Sequence, residues 1–460
     1  MQHSNAANRI NRLPISRYYK ITLVAVSFAY FFEFADINTF AVTVPKLIKL
    51  WGVTINQVAY VTSLSFVGMF FGSLVAGWIA DRWGRKKALI GTTLWFALFS
   101  FASVFTWDIF SLGAFRILTS AGLAAMTVVA VVYLSEMFPA AVRGKYQAYA
   151  LVIGICGTPV TNFIASLVVP LADWSWRLVY LWGSLGILLL LFVRFLKESP
   201  RWYESKGEYD KADAVLSEIE ARVAAEKGPL PDPGPPVVVA KQSKAEWSLL
   251  LQKRYLAPTI LLSVLWVTQT IGFFGFSSWA PTLLAQEGIS VEKALFYVAL
   301  TTVGAPLGCL LASLITDRFE RKWLLVAFGT AIAISGLFYG LTFNPIFIVV
   351  FGFLVNFFER TYTALAYAYS PEVFDTRARS LGTAVSYGLG RLSNAVGPLV
   401  IAFLYNGSGY QSVFYFIAGT WLFGAIVLAV FGPNTRQARL EQTKTGVETQ
   451  PPIRAHIHGE

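Results

Sequence analysis

Twelve apolar stretches, each about as long as a lipid bilayer is thick, constrain this chain more than any other feature. They fall near residues 20–44, 56–80, 87–106, 109–133, 145–170 and 177–197, then 255–283, 291–315, 322–343, 345–369, 379–404 and 410–431. A helix crosses the hydrocarbon core with about 20 apolar residues. The stretches are long and continuously apolar, without the two-residue alternation of barrel strands, so an all-α membrane protein with twelve transmembrane helices is expected. Composition excludes the alternatives. Hydrophobic residues make up 55% and charged residues 14%, against about 25% charged in a soluble chain. Disorder needs the opposite balance. The first 19 residues are polar and carry Arg9, Arg12 and Arg17. The first apolar run is too long for a signal-peptide core and lacks a small-residue cleavage site, so it reads as a retained span. The expected organisation is a tail (1–19), a six-helix bundle (20–197), a polar linker with short helices (198–253), a second bundle (254–431) and a second tail (432–460).

Lysine and arginine set orientation in a membrane. Of the 37 in this chain, 30 fall in the tails, the linker or the loops after spans 2, 4, 6, 8 and 10. Four fall on the other side (Lys46, Lys49, Arg177, Lys293), and three lie inside spans (Arg116, Arg360, Arg391). Both termini are therefore expected in the cytoplasm. The net charge of +11 follows from topology, and no nucleic-acid partner is expected. Cys156 and Cys309 sit in apolar runs and read as free buried thiols. The three histidines (His3, His456, His458) lie in the tails, so no metal site and no cofactor are expected. No nucleophile constellation or phosphate-cradling loop is present either, and the chain does not read as an enzyme.

A short charged pattern recurs. The loop after span 2 reads Gly77-Trp-Ile-Ala-Asp81-Arg82-Trp-Gly84-Arg85-Lys86, and the loop after span 8 holds Asp317, Arg318, Glu320, Arg321 and Lys322. Asp81 and Asp317 are 236 residues apart, as are Glu136 and Glu372, and Arg143 and Arg379. The chain is thus two parallel six-helix pseudo-repeats, an arrangement that puts a substrate site between halves that rock. The Gly77–Lys86 stretch resembles the loop signature of the major facilitator superfamily. Glu198-Ser-Pro-Arg-Trp202 and Pro433-Asn-Thr-Arg436 resemble the motifs that follow spans 6 and 12 in its sugar-porter branch, with Asn434 in place of a glutamate. The resemblance covers residues 18–436. It implies a secondary transporter, monomeric as its relatives are, working by alternating access on a small molecule and protons.

The resemblance implies that Asp81, Arg82, Arg85, Glu136, Arg143, Asp317, Arg318, Arg321, Glu372 and Arg379 form a cytoplasmic gate that latches the outward-facing state. On physical grounds they could equally serve topology alone, since an exposed ion pair contributes only about 0–1 kcal/mol. Gly77 and Gly84 become Ser313 and Glu320 in the second copy, which puts an acid where a tight turn is expected. Residues 208–227 read as an amphipathic helix (Ala212, Val215, Leu216, Ile219, Val223), and the linker 198–253 as a whole is expected to have little functional content.

Charged residues inside spans cost about 2.5–3.5 kcal/mol at a helix centre, so each is a functional candidate. Glu33 and Asp36 in span 1 share a helix face. In the sugar-porter branch an aspartate of span 1 carries the proton and an arginine of span 4 tunes it, and Asp36 and Arg116 match those positions. A permanent structural pair is the other reading, and Glu33 could itself be the proton site. Arg391, in Gly388-Leu-Gly-Arg391-Leu-Ser-Asn394, resembles span 11 of metabolite:proton symporters and organic-ion transporters, where arginine goes with anionic substrates. Guanidinium matches carboxylate in two hydrogen bonds. Its alternative is a structural partner for Glu359. Glu359 and Arg360 are adjacent in span 10 and so point about 100° apart.

Span 7 reads Gln269-Thr-Ile-Gly272-Phe273-Phe274, close to the sugar-porter pattern, but Thr268 and Phe274 stand where that pattern has glutamine and asparagine. Tyr367 replaces the tryptophan of span 10. Sugars need many amides and acids, whereas the candidates here are aromatic and cationic: Tyr30, Phe31, Phe273, Phe274, Tyr362 and Tyr367, with Asn162 and Asn394 as intramembrane polar groups. Any one of these aromatics reads as core or lipid-facing, and only the set points to an organic carboxylate. The expected function is proton-coupled uptake of a small organic anion, with a sugar or polyol symporter and a drug:proton antiporter as alternatives. The expected location is a bacterial inner membrane.

Overall fold

The structure, a computed structural model, describes residues 5–233, 247–316, 318–375 and 378–435. The described elements are α-helices and short 3-10 turns. Span 1 is Arg17–Ile37 continued by Thr39–Trp51. Spans 2, 3 and 4 are Ile55–Trp83, Arg85–Ala102 and Ile109–Met137. Span 5 is Ala140–Ile155 with Gly157–Val168. Span 6 is Arg177–Ser184 and Leu189–Val193 around a 3-10 turn. Span 7 is Lys253–Ser277 with Ala280–Gln286, and span 8 is Val291–Thr302 with Gly304–Ile315. Spans 9 and 10 are Arg321–Leu341 and Pro345–Tyr369. Span 11 is Arg379–Ser393 with Gly397–Ser408, and span 12 is Tyr410–Phe431. Eleven are long and apolar enough to cross a membrane, and the sixth, Arg177–Val193, is a shorter apolar helix.

Several spans are broken where continuous helices were expected. The breaks fall at Asn38, Cys156, Ser278, Val303 and Asn394. In four of the five a proline follows within four residues (Pro159, Pro281, Pro306, Pro398). Proline has no N–H to continue the helical ladder. Helix breaks inside a bilayer are tolerated where protein covers the freed backbone.

The repeat reaches individual atoms. Tyr133 donates its hydroxyl to the carbonyl of Lys197 at 2.6 Å, and Tyr369 donates to that of Pro433 at 2.9 Å. Each residue pair is again 236 apart. Gly68 and Gly72 of span 2 meet the carbonyls of Ile117 and Ala121 in span 4; Gly304 and Gly308 of span 8 meet those of Phe353 and Phe357 in span 10. A Cβ at any of the four would overlap that carbonyl oxygen. With lipid outside, helix association rests on this close approach rather than on exclusion of water.

Both described chain ends lie on one face, called the termini face below. An apolar cluster crosses between the halves near the opposite face, joining Phe40, Val61, Leu112 and Val179 to Phe276, Leu283, Val298 and Ile401. Asn406 also donates there to Asn56 at 2.8 Å. Towards the termini face, Tyr19, Ala80, Phe138 and Leu196 belong to a separate first-half cluster.

On the termini face the linker helix Tyr209–Lys227 buries Ala212, Leu216, Ile219 and Val223, the stripe expected from its spacing. A short helix, Ala6–Asn11, clasps it. Arg9 pairs with Asp213 and with Glu220 (2.7 Å), and Arg12 pairs with Glu220 at 2.7 Å. Burial pushes the Glu220 carboxyl up, but hydrogen bonds from Arg9 and Arg12 outweigh it and hold the group below the usual glutamate range. A depressed carboxyl contributes stability that is full above its unfolded pKa and lost as pH falls through its folded value. The distance between spin labels on the two helices should therefore be sharply distributed at neutral pH and broaden below the ordinary glutamate range. Glu220→Gln should broaden it at every pH.

Candidate functional site

Asp36 ends the first segment of span 1. The break after it is held by Asn38, which donates to the Phe34 carbonyl at 2.9 Å and to Thr158 at 3.3 Å. Asp36 is fully buried. Its Oδ2 accepts from Arg116 Nη1 at 2.7 Å, its Oδ1 accepts from the Ser100 hydroxyl at 2.8 Å, and its carbonyl accepts from Arg116 Nη2 at 3.2 Å. Tyr180 presents its ring to the guanidinium at 5.9 Å and shares a 2.9 Å hydrogen bond with Thr43. Gly183 lets span 6 come this close, since a Cβ there would overlap Asp36 and Ser100. Spans 1, 3, 4 and 6, all of the first half, thus hold one ion pair. Asp36 and Arg116 were legible as charges; Ser100, Tyr180 and Gly183 lie in runs that read as plain apolar helix.

Glu33, one turn earlier, faces the second half. Its charge is near those of Arg391 and Arg360, while the Thr127 hydroxyl donates to the Leu123 carbonyl at 3.0 Å. Arg360 lies over the rings of Phe273 (4.3 Å) and Phe34 (5.5 Å), so it bridges the halves. It also sits 3.3 Å from Glu359, an arrangement the 100° offset did not anticipate. Glu359 is fully buried and accepts from Gln269 at 2.9 Å and Thr363 at 2.7 Å. Gln269 stands at the repeat position of Glu33, and Thr363 at that of Thr127. The amide at this repeat position is therefore closed within the second half, where the first half keeps a carboxylate.

Arg391 does not pair with Glu359. Its guanidinium lies 5.0 Å from the Tyr387 ring, and among the described residues no carboxylate is within ion-pairing distance. Tyr367 donates to the Tyr387 hydroxyl at 2.8 Å. Trp266 packs on both tyrosines at 4.8 and 4.9 Å. Tyr367 keeps 47% of its surface exposed, which places it at an opening rather than in the core. Trp266 and Tyr387 were not anticipated. Two signals could have found them: Tyr387 is one turn from Arg391, and Trp266 is the repeat mate of Tyr30. Tyr30 is buried against Gly154. Phe274 meets Phe66 across the interface at 4.9 Å. Asn162 donates across it to Thr302 at 3.4 Å, away from Arg391. Asn394 is buried at the break of span 11.

On the termini face, Arg85 spends its whole fork. It donates to Glu136 (2.7 and 3.0 Å), to Asp81 (3.0 Å) and to the Ala80 carbonyl (3.0 Å). Arg82 is exposed and lies over Trp78 at 5.3 Å. Arg143 donates to the Ser135 carbonyl and Arg379 to the Pro371 carbonyl, 3.3 and 3.1 Å, at matching repeat positions. Arg321 pairs with Glu372, and Arg318 is exposed. Asp317 lies outside the described residues. Among the described residues, each of these contacts lies within one half.

The Glu198–Trp202 motif at the start of the linker contacts the loop between spans 2 and 3. Glu198 accepts from the backbone N–H groups of Arg85 (2.7 Å) and Lys86 (3.1 Å) at the start of span 3. Trp202 donates to the Asp81 carbonyl at 2.8 Å. A carboxylate at a helix N-terminus meets free N–H groups and the positive end of the dipole. A Cβ at Gly84 would overlap that carboxylate. In the second half Asn434 replaces the acid and Glu320 replaces the glycine, and Glu320 accepts from Thr435 N at 2.8 Å. The acid has changed places with its neighbour, which explains both departures from the repeat.

The comparisons with known proteins agree with this architecture. The family model for "Sugar (and other) transporter" matches residues 19–446. The chain is 48% identical over 439 residues to the putative metabolite transport protein YyaJ of Bacillus subtilis (strain 168), covering 95% of this chain and 97% of that one. It is 31% identical over 410 residues to the 4-hydroxybenzoate transporter PcaK of Acinetobacter baylyi (strain ATCC 33305 / BD413 / ADP1), covering 86% and 87%. Among solved structures, the xylose transporter XylE from E. coli, in a partially occluded inward open conformation, superposes with a TM-score of 0.74 at 18% identity, covering 92% of this chain and all of that one. The chain belongs to the sugar (and other) transporter family of the major facilitator superfamily. It is a multi-pass membrane transporter of small molecules, and the family is not one of enzymes.

The exchange of acids gives a direct test. Gly84→Glu alone should lower the melting temperature in detergent, because two carboxylates then compete for one helix start. Gly84 has φ 94° where Glu320 has −65°. Combining Gly84→Glu with Glu198→Asn should therefore recover the part of the loss due to competing acids and leave the part due to backbone strain.

Proposed function

We propose that this chain takes up a small organic carboxylate together with protons by alternating access. The carrying observation is Arg391: its guanidinium lies on the Tyr387 ring with no carboxylate of the described residues within ion-pairing distance, and Glu33 acts on it only at longer range. A desolvated guanidinium is costly unless something neutralises it, and a substrate carboxylate would do so in a bidentate pair. Trp266, Tyr367 and Tyr387 beside it favour a planar or aromatic body on that carboxylate. The 4-hydroxybenzoate carried by one relative has that chemistry. The sugar reading has less support, because Gln269 is engaged by Glu359 and Thr363 and so offers less to hydroxyls.

The proton is assigned to Asp36, with Arg116 as the group that releases it, and Glu33 faces the substrate between Arg391 and Arg360. Proton coupling follows from electrical work. One charge across 100 mV costs about 2.3 kcal/mol, so a monoanion needs at least one proton to enter a negative interior. The distribution of basic residues supports cytoplasmic termini, and the bacterial relatives support an inner membrane as the location. The packing of the halves near the opposite face then corresponds to an inward-facing state in which the termini-face charge sets are parted. The transporter works as a monomer.

A bound ligand raises stability by RT ln(1 + [L]/Kd). Millimolar carboxylates should therefore raise the melting temperature of the purified protein, while neutral sugars and organic cations should not. Arg391→Gln should weaken carboxylate binding about 10- to 100-fold, the loss of a charged hydrogen-bond pair. A sugar response indifferent to Arg391→Gln would sink the anion reading. In proteoliposomes, Asp36→Asn should keep substrate exchange and lose uphill uptake driven by a proton gradient.

A further inference from the structure

Glu33 of span 1 and Arg391 of span 11 share one condition. Glu33 is 8% exposed. Among the described residues it has no cation within ion-pairing distance and accepts no hydrogen bond, since the nearby Thr127 hydroxyl is given to the Leu123 carbonyl. Arg391 has the Tyr387 ring beside it and no carboxylate. Other polar atoms, Arg116 Nε and Asn394 Oδ1 among them, are sealed in the core without a hydrogen-bond partner. The Glu33 oxygens and the Arg391 nitrogens are not sealed in this way. Both groups keep contact with the space between the halves. Phe34, the residue after Glu33, lies 5.5 Å from the Arg360 guanidinium, which sets this part of span 1 against the second half. One open anion and one open cation thus face each other across the interface, close enough to feel one another and not touching.

A molecule bound between them has to complement both. A carboxylate satisfies Arg391. By itself it leaves Glu33 with nothing to accept from, and it sets a second anion near the first. A desolvated carboxylate that receives no donor loses its water and gains nothing in return. A site with such an acceptor discriminates strongly against molecules that lack the matching O–H or N–H. The same side chain therefore repels one class of ligand and rewards another. The repeat mate behaves differently. Gln269 gives its amide N–H groups to Glu359 and Thr363 at 2.9 and 3.0 Å, whereas Glu33 keeps its acceptors open.

We infer that Glu33 determines specificity: it selects carboxylates that carry an O–H or N–H donor at the end away from the carboxylate, and it rejects plain monocarboxylates. The carboxylate lies on Arg391, the donor end lies on Glu33, and Tyr367 and Tyr387 flank the body of the molecule. Recognition is a hydrogen bond to the Glu33 carboxylate, and no proton changes hands in it. The inference rests on the reading of Arg391 as the carboxylate anchor.

A matched panel on the purified full-length protein tests this, with Kd read by titration calorimetry. The ligands are benzoate and 4-methoxybenzoate, without a donor, and 3-hydroxybenzoate, 4-hydroxybenzoate and 4-(aminomethyl)benzoate, with one. At least one donor-bearing ligand should bind about tenfold or more tighter than both of the others, as expected for a hydrogen bond to a charged acceptor. The order of the hydroxyl and ammonium ligands tells a neutral donor from a cationic one. In Glu33→Gln that preference should shrink at least fivefold, with benzoate bound as well as by wild type or better. A structural role for Glu33 would weaken every ligand in parallel and keep the preference, and that result overturns the inference. A wild-type preference below tenfold overturns it as well. Glutamine is the residue at the repeat position, Gln269, so the helix tolerates the change; if the variant nonetheless fails to fold, the wild-type preference decides alone. Arg391→Gln separates the two levels. Carboxylates that bind through Arg391 without regard to a donor remove only the role of Glu33, whereas binding indifferent to Arg391→Gln removes the anchor itself.

Discussion

A charge inside a low-dielectric slab has to be neutralised where it stands, and the interior of this protein is arranged around that requirement. Asp36 and Arg116 meet it within one half, at the cost of a broken helix, a glycine and contributions from four spans. Glu359 and Arg360 meet it partly, between neighbours on one helix, with Gln269 and Thr363 taking up the carboxylate. Arg391 meets it with an aromatic face, and Glu33 acts on it from across the interface. The three solutions differ in how completely the charge is spent.

The sequence carried the fold almost entirely, because membrane crossing leaves a signal that survives without tertiary information. All twelve apolar stretches correspond to apolar helices, to within a few residues at most ends. The charges of the site were legible for the same reason: Asp36, Arg116, Glu359, Arg360 and Arg391 stand out against lipid-compatible neighbours. Their partners were not. Ser100 looks like an ordinary helix hydroxyl, which bonds its own backbone in most contexts. Trp266 and Tyr387 look like two aromatics among 71. Which helix faces which is a tertiary fact. Helix breaks could have been read from the prolines that follow them, yet a proline alone does not say whether a helix kinks or ends.

The repeat proved a finer instrument than its charge pattern indicated. It relates hydroxyl to carbonyl at Tyr133 and Tyr369, and arginine to carbonyl at Arg143 and Arg379. It also turns two oddities, Glu320 and Asn434, into one exchange. Where it fails it is informative in a different way. Glu33 and Gln269 occupy one position in two copies, and only the first keeps an ionisable group. Asp36 and Arg116 both have glycine as counterpart, at Gly272 and Gly352. Ion coupling, on this reading, is a property of one half laid over a scaffold common to both.

The glycine contacts of spans 2 and 8 have a consequence for how such proteins drift. Each glycine packs first against a carbonyl oxygen, and the partner's side chain follows at longer distance at Gly68 and Gly304 and is not among the nearest atoms at Gly72 and Gly308. Ile117 and Ala121 in one copy are Phe353 and Phe357 in the other, and the approach is the same. One side of the joint is frozen while the other is free to change. Homologous sequences would then show a solitary invariant glycine with nothing varying in step with it. Inference of contacts from correlated substitution would be blind to the joints that hold each half together, and would see best the looser surfaces on which the halves move.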